Sequence, residues 1–566
     1  MAPNKNPLFS LKPISEQAKK IVSDTANGGI NSHLVLFGPD GVPMLGVGHH
    51  ASQSSTPGVL ALLGRSDSVD IHLKSSSVSR IQASFEINPQ SNAVMFVDLS
   101  PSESSQVYGE NNVPFEHERS PRKIVINSTM NTQIGMGGAK RDHITFELIW
   151  HHSEPETTIW INDLKEVLEI HDYHTRPETI TEESDTSLSS RRETRIHSRQ
   201  KRQMRYVVGD QLGSGNRGTV FKGMNLDTGD LMAVKVMSRP AREQSKILIK
   251  SEIETLVRLQ HAHIVDYIGT DLTDSYAAIF MRLMDDNLLS LINKPELQCR
   301  VFQRGFLHQM LQALDYLDCH SIIHGDIKPS NILYVKGPDS EYHFQLADFG
   351  LAGTGKSRRG THPYMAPEVF YGDAEISTKI DIWSLYMTLL CMTNRKAWSI
   401  QEEPPRANDG GGPTREDVLN SYERVRIGYK EVWLLSRLEF MPYLEIQDMA
   451  RINPKIRASA AQMLARNYNG RGLTTRSSIP AISKPENDYW VLQKKHEHFL
   501  NRMEKRRLMK EWTLNSSDLL TDDGTEDEED GLDDENKSDC TDDTVFMIMH
   551  AEMEKELANQ AMNGGC

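Results

Sequence analysis

From residue 31 the chain breaks into short apolar runs separated by clusters of Gly, Pro, Ser and Asn. The runs at 34–37, 59–63, 71–73, 83–87, 94–97 and 144–150 are rich in β-branched and aromatic side chains. Many short strands at this spacing predict a β-sandwich, placed here at 30–172. Residues 1–29 carry Pro, Ser, Asn and Lys without a clear period and read as a disordered tail, and 173–205 read as a basic linker. A second pattern begins at Tyr206. Runs at 206–212, 219–221, 231–237 and 277–284 read as strands, while 251–259 and 302–320 carry apolar residues at helical spacing. Residues 487–514 read as a basic amphipathic helix, 515–544 as an acidic disordered segment, and 545–561 as a short helix rich in Met and Glu.

At 566 residues the chain has room for three or four domains, taking about 150 residues for each. A hydrophobic content of 38% supplies folded cores, and the longest apolar run, 382–392, is interrupted by Ser and Thr. It is too short for a bilayer core of about 30 Å, so no membrane partner is expected. The first residues lack the apolar core of a signal peptide, and five scattered cysteines read as reduced thiols, which places the chain in the nucleus and/or cytoplasm. Residues 516–543 hold 14 acidic side chains and one Lys, a net of −13 out of −15 for the whole chain. The remainder is nearly neutral, and no direct nucleic-acid partner is predicted.

One polar loop between apolar flanks carries the chemistry: 322–333 reads Ile-Ile-His-Gly-Asp-Ile-Lys-Pro-Ser-Asn-Ile-Leu. An Asp, a Lys two positions on and an Asn five positions on can converge on one point. There the Asp accepts a proton from a hydroxyl, the Lys steadies a phosphoryl group in flight, and the Asn holds a metal ion. Upstream, 213–221 reads Gly-Ser-Gly-Asn-Arg-Gly-Thr-Val-Phe, and glycines let a backbone present its N–H groups closely to phosphates. A dinucleotide-binding fingerprint expects a helix next, whereas 219–221 continues as strand.

With Lys235 in the strand at 231–237, Asp348-Phe349-Gly350, the run from Gly360 to Ala366-Pro367-Glu368, Asp381-Ile382-Trp383 and Arg457, these stretches resemble the protein kinase family across 206–468. The resemblance implies a bilobal α+β protein kinase fold with ATP and Mg²⁺ as cofactors. It implies that Leu212, Gly213, Gly215, Gly218, Val220, Ala233, Lys235, Met281, Leu283, Met284 and Leu333 surround ATP. Glu252 would pair with Lys235, or Glu254 if the helix register differs. Asn331 and Asp348 would hold the metal, Asp326 would take the substrate proton, Lys328 would stabilise the γ-phosphoryl, and Arg457 would pair with Glu368. Lys328 together with Thr361 marks the serine/threonine branch. Gly325 stands where most of the family carries Arg, which implies weak dependence on phosphorylation at Thr354, Ser357 or Thr361. Ser330 stands where Arg-directed kinases often carry Glu, and Tyr386 replaces a common Gly.

In the N-terminal part, Leu63-Gly64-Arg65 is followed by Ser77-Val78-Ser79-Arg80-Ile81-Gln82 and Val97-Asp98-Leu99-Ser100-Pro101. A guanidinium and a hydroxyl from neighbouring loops make a small phosphate clamp. The order resembles the forkhead-associated (FHA) domain, a phosphothreonine-binding sandwich. It implies that Arg65 and Ser79 hold the phosphate with Arg80 assisting. Gln82 replaces the usual His, and Pro101-Ser102-Glu103-Ser104-Ser105 stands in place of an Asn-Gly step, with a Glu that would repel phosphate.

An FHA domain followed by a kinase is the order of the FHA-containing checkpoint kinases. That resemblance implies a serine/threonine kinase recruited to phosphothreonine-bearing proteins in checkpoint-type signalling, in DNA damage, the cell cycle or meiosis. Ser-Gln and Thr-Gln pairs occur only at 52–53, 105–106 and 132–133, spread rather than clustered. Phe499 and Trp512 on the basic helix resemble calmodulin targets, so a calmodulin-regulated kinase with the sandwich as a dock is the second reading, and a non-catalytic phosphopeptide-binding scaffold the third. Basic clusters at 191–195 and 199–205 resemble a bipartite nuclear-import signal.

Overall fold

Short branched-apolar runs punctuated by turn formers build the N-terminal region as two sheets. The computed structural model describes residues 7–26, 32–48, 56–115, 122–167, 204–215, 218–238, 243–273, 275–292, 294–337, 341–353, 360–361, 364–371, 376–393 and 445–484. One sheet runs β2 (Val35–Phe37), β3 (Pro43–Val47), β1 (Phe9–Pro13), β11 (Ile144–Trp150), β10 (Gln133–Met136), β8 (Ser105–Tyr108), all antiparallel. The other runs β5 (Ile71–His72), β4 (Val59–Gly64), β6 (Ala83–Ile87), β7 (Val94–Asp98), β9 (Arg122–Ile126), antiparallel except for the β4–β5 pair. Their inner faces share one core, in which the Phe9 ring meets Phe85 edge-on at 5.0 Å and Phe85 meets Phe96 at 5.5 Å.

The expected tail at 1–29 is corrected by this arrangement. Phe9–Pro13 lies in the middle of its sheet, between β3 and β11, with Phe9 and Leu11 fully buried. Its polar Ser10 is satisfied by the His151 ring, Oγ to Nε2 at 2.7 Å. Helix α1 (Glu16–Ala26) follows, burying Ala18, Ile21, Val22 and Thr25 at helical spacing. Five strand residues that include Lys12 and Pro13 are too few for a period to stand out, and one of their two partner strands, β11, lies at the far end of the region. Helix α2 (Glu154–Val167) closes the region, with Glu156 accepting from both the backbone N–H and the hydroxyl of Ser153 at its start.

Backbone contacts divide the chain into two units, residues 1–240 with 267–283, and residues 241–266 with 284–566. The first unit also holds a five-stranded antiparallel sheet ordered β12 (Tyr206–Gly215), β13 (Gly218–Asn225), β14 (Leu231–Ser238), β16 (Tyr276–Arg282), β15 (Tyr267–Leu272). Met232, Val234, Ala278 and Phe280 form a small core on one of its faces.

The second unit is built on α4 (Arg300–Cys319). Its Phe306, Leu307, Met310, Leu311, Leu314 and Leu317 recur every three or four residues and are buried. Around it lie α3 (Glu243–Arg258), α5 (Pro367–Tyr371), α6 (Lys379–Thr393), α7 (Ala460–Tyr468) and a small sheet of β17 (Asp286–Asn287), β18 (Ile332–Lys336) and β19 (Tyr342–Leu346). A reciprocal Ser459–Gln462 capping box starts α7. Past α7 the chain returns along α4, where the buried Asp315 accepts from Thr474 N, Thr475 N and Thr475 Oγ1.

Two histidines beside α4 give this unit an acid sensitivity. Burial pulls His261, stacked on Tyr316, down to about 4, and pulls His263, with Nδ1 at 2.9 Å from Phe344 O, down to about 3. Both are depressed below the unfolded value of 6.5. The unfolded chain therefore gains protons first as pH falls. The stability is fully present above pH 6.5 and is lost downward toward pH 4 and 3. The expected slope is about 1.4 kcal/mol per pH unit for each ring. Denaturant midpoints measured from pH 7 to 4.5 check this. A wild-type slope no steeper than that of a His263→Asn chain would count against it.

Candidate active site

In the first unit, strand register decides which side chains share a face. Directly opposed residues of an antiparallel pair point the same way. Val220 opposes Lys235, Ala233 opposes Met281, and Gly213 opposes Val220. Lys235 and Ala233 lie two apart, so Val220, Ala233, Lys235 and Met281 line one face. Leu212 falls at a register shift between Gln211 and Gly213 and is half exposed. A Cβ added to Gly213 or Gly215 would meet no protein atom within 4 Å, whereas Gly218, at φ +139°, backs onto Val236 O. The face thus offers an apolar floor, a buried ammonium and open space above a glycine backbone. Leu283 follows the last strand and is half-buried.

In the second unit the catalytic-loop residues are drawn into one hydrogen-bonded cluster. Asp326 Oδ1 accepts from Thr361 Oγ1 at 2.7 Å and Thr361 N at 3.1 Å, and its Oδ2 accepts from Asn331 Nδ2 at 3.0 Å. Lys328 Nζ lies 3.3 Å from Asp326 Oδ2 and donates to Thr361 Oγ1 at 3.0 Å. Asn331 Nδ2 also donates to Asp326 O at 2.8 Å, so its Oδ1 is the atom with which it can meet a cation. Asp348 stands at φ 60° and ψ 73°, a left-handed conformation that L-residues adopt at a cost and that functional sites retain. Asn331 and Asp348 offer only oxygen donors, which suits Mg²⁺.

The loop is held from beneath. Buried Asp381 accepts from His324 N at 2.8 Å and Gly325 N at 2.9 Å, and burial pushes its carboxyl above the usual carboxylate range. His324 Nε2 lies 3.0 Å from Ala347 O, one residue before Asp348, and its ring packs on Phe349. Gly325 has φ +77°, where a glycine is unstrained. Paired backbone bonds between Ile323 and Gly353, an isolated bridge, tie the stretch after Asp348 to the residues entering the loop. Glu252 is buried, whereas Glu254 is exposed beside Lys250. Arg457 and Glu368, both fully buried, form a two-pronged ion pair at 2.6 and 2.8 Å. Met284 and Leu333 are half-buried in this unit.

At one end of the sandwich a third cluster forms. Arg65 Nε donates to Val78 O at 3.0 Å and Arg65 N donates to Ser79 O at 3.1 Å, which sets the exposed guanidinium beside the half-buried Ser79. Arg80 is exposed in the same loop. Gln82, fully buried, bridges this loop to the next. Its Oε1 accepts from Ser79 N at 2.8 Å, and its Nε2 donates to Ser104 Oγ at 3.1 Å and Ser105 Oγ at 2.8 Å. Below lie Asp98, Ser100 and Arg122, with Arg122 paired to Asp98. Glu103, expected to repel a phosphate, lies 3.9 Å from Arg122, whose guanidinium is already engaged by Asp98.

His324 and Asp381 shape these clusters although the motifs alone assign them no site role, and Thr361 and Gln82, legible only as a branch marker and a departure, hold Asp326 and the Ser79 loop. The signals were there: each is a polar residue at a fixed offset inside a motif. Thr354, Ser357, the nuclear-import clusters up to Gln203, and the segments 487–514, 515–544 and 545–561 lie outside the described residues.

Residues 206–469 match the protein kinase domain family. Mitogen-activated protein kinase kinase kinase 2 of Arabidopsis thaliana is 35% identical over 216 residues, 35% of this chain and 32% of its own. The serine/threonine-protein kinase ICK of Rattus norvegicus is 32% identical over 311 residues, 50% of this chain and 48% of its own. Mitogen-activated protein kinase kinase kinase A of Dictyostelium discoideum is 34% identical over 211 residues, 35% and 22% of the two chains. The match thus spans about a fifth to a half of the length of these relatives. The chain contains a protein kinase domain with serine/threonine kinase relatives, and a β-rich region precedes it.

Proposed function

We propose that the chain is an ATP-dependent serine/threonine protein kinase recruited to phosphothreonine-bearing proteins through its N-terminal sandwich. The observation that carries the reaction is the Asp326 carboxylate, held by Thr361 and Asn331 with Lys328 beside it. Protein kinases use ATP and Mg²⁺ as the phosphoryl donor and its charge-offsetting ion. In this chain Val220, Ala233 and Met281 give the adenine an apolar surface, and Lys235 meets phosphate. Asn331 Oδ1 and Asp348 are the oxygen donors that would hold the metal. Asp326 orients an incoming Ser or Thr hydroxyl and takes its proton, and Lys328 balances charge on the phosphoryl oxygens. Positioning and electrostatics supply most of the rate in such a site. These intact residues speak against a non-catalytic scaffold.

Recruitment is supported by the third cluster. With Nε fixed on Val78 O, the terminal nitrogens of Arg65 remain for a phosphate beside Ser79, and Gln82 holds the Ser79 loop as the family's His would. Arg80 adds positive charge. The order of sandwich and kinase domain supports checkpoint-type signalling, and the basic clusters at 191–205 support a nuclear site of action. Binding of a phosphothreonine peptide by the full chain tests the recruitment. Arg65→Ala should weaken it about 10–100-fold, as expected for losing hydrogen bonds to a charged group. A wild-type chain that binds phosphorylated and unphosphorylated peptide alike would end the recruitment reading and leave the kinase reading standing.

A further inference from the structure

The turn between β13 and β14, residues 225–230, is fitted into the sandwich within the first unit. Val125 N on β9 donates to Leu226 O at 2.9 Å, and the Leu226 side chain, 3% exposed, belongs to the sandwich core. Asn88 uses its two ends separately. Its Oδ1 closes its own turn by accepting from Gln90 N and Ser91 N, while its Nδ2 donates to Thr228 O and Asp230 Oδ1, each at 2.9 Å. Arg205, one residue before β12, donates to Pro114 O on the sandwich and to Asp227 on the turn, and its carbonyl accepts from Leu226 N. A Cβ on Gly229, at φ +75°, would stand 2.8 Å from Met95 Sδ and 3.1 Å from Asn88 Cβ, so the turn lies directly against the sandwich. Hairpin turns ordinarily give their polar groups to water, whereas this one gives them to another part of the chain.

We propose that the sandwich is a positioning element for nucleotide binding, with Asn88, Leu226 and Arg205 as positioning residues. The docked turn joins the two strands that carry Val220, Ala233 and Lys235. Holding it fixes the end of the hairpin and, along stiff paired strands, the tilt of the face they present. The inference rests on the reading of that face as the ATP site. Apparent affinity falls in proportion to the fraction of molecules in the binding-competent arrangement. Undocking that leaves about a tenth of them competent raises the KM for ATP about tenfold without touching the groups that act in the chemical step.

The test uses the full-length protein and reads KM for ATP and kcat separately. Asn88→Asp keeps the acceptor that closes its own turn but sets a carboxylate against Asp230. Adding Asp230→Asn restores a donor opposite it. The expected result is a KM for ATP raised about tenfold in Asn88→Asp with kcat within twofold. In the Asn88→Asp/Asp230→Asn double variant KM falls at least about threefold from the Asn88→Asp value, short of full return because a carboxylate still faces Thr228 O. Rescue ties the effect to the Asn88–Asp230 contact, and a kcat held within twofold separates altered nucleotide binding from a loss of folded protein, which would lower turnover and not raise KM. An unchanged KM in Asn88→Asp, or a raised KM that the second substitution leaves in place, overturns the positioning role. Wild-type protein that neither binds nor turns over ATP overturns the kinase reading itself, and is distinguished by that control alone.

Discussion

Asp326→Asn is expected to lower kcat about 10²–10⁴-fold, the usual contribution of a positioned general base, while nucleotide affinity stays within about threefold. The geometry sets both halves of that outcome. Both carboxylate oxygens accept hydrogen bonds, Oδ1 from Thr361 and Oδ2 from Asn331. An amide offers one acceptor and one donor, so its NH₂ must face either the Thr361 N–H or the Asn331 Nδ2. The variant loses the proton acceptor and also loosens the residues that aim it. Steady-state turnover of a Ser/Thr peptide with a parallel nucleotide-binding measurement reads the two effects apart. A kcat within tenfold of wild type would remove Asp326 from the chemistry.

Arg457→Met should cost about 3–5 kcal/mol of stability, because it strands a buried carboxylate. Glu368 and Arg457 are each 0% exposed at the side chain. The guanidinium spends its remaining hydrogens on Arg451 O, Lys379 O and Ile452 O, and it lies 5.1 Å from the Trp383 ring. One side chain thus ties the segment after α6 to the starts of α5 and α6. The shift of the denaturant midpoint measures the loss, and a loss under about 1 kcal/mol would mean that water reaches Glu368 and the pair behaves as a surface one.

The kinase-domain residues were legible because phosphoryl transfer demands particular side chains at fixed offsets, and a loop such as 322–333 keeps those offsets local. The strands of the sandwich were legible for a similar reason, since each run carries its own composition. What escaped depends on distance along the chain. Nothing near Phe9–Pro13 announces β11, and nothing near Asn88 announces Asp230, 142 residues on. Gln82 read as a departure because a family pattern records residue names. The structure shows the work at that position, an acceptor for Ser79 N and donors for two serines, which a glutamine amide performs. The choice between Glu252 and Glu254 was a matter of helix phase. One turn of α3 buries the first and exposes the second.

The placement of β1 has a consequence for how the protein is made. Its neighbours are β3 and β11, and Ser10 meets His151 across 141 positions of sequence. At ribosomal speeds of about 5–20 residues per second, β1 is synthesised roughly 7–28 s before the strand that completes its pairing. Over that interval it is an apolar strand with an open edge on the nascent chain, the kind of segment that chaperones shield. A sheet closed by its two most distant strands also belongs among the slow-folding topologies. The turn at 225–230 packs on the core of the sandwich, so docking of the hairpin it terminates waits on that core.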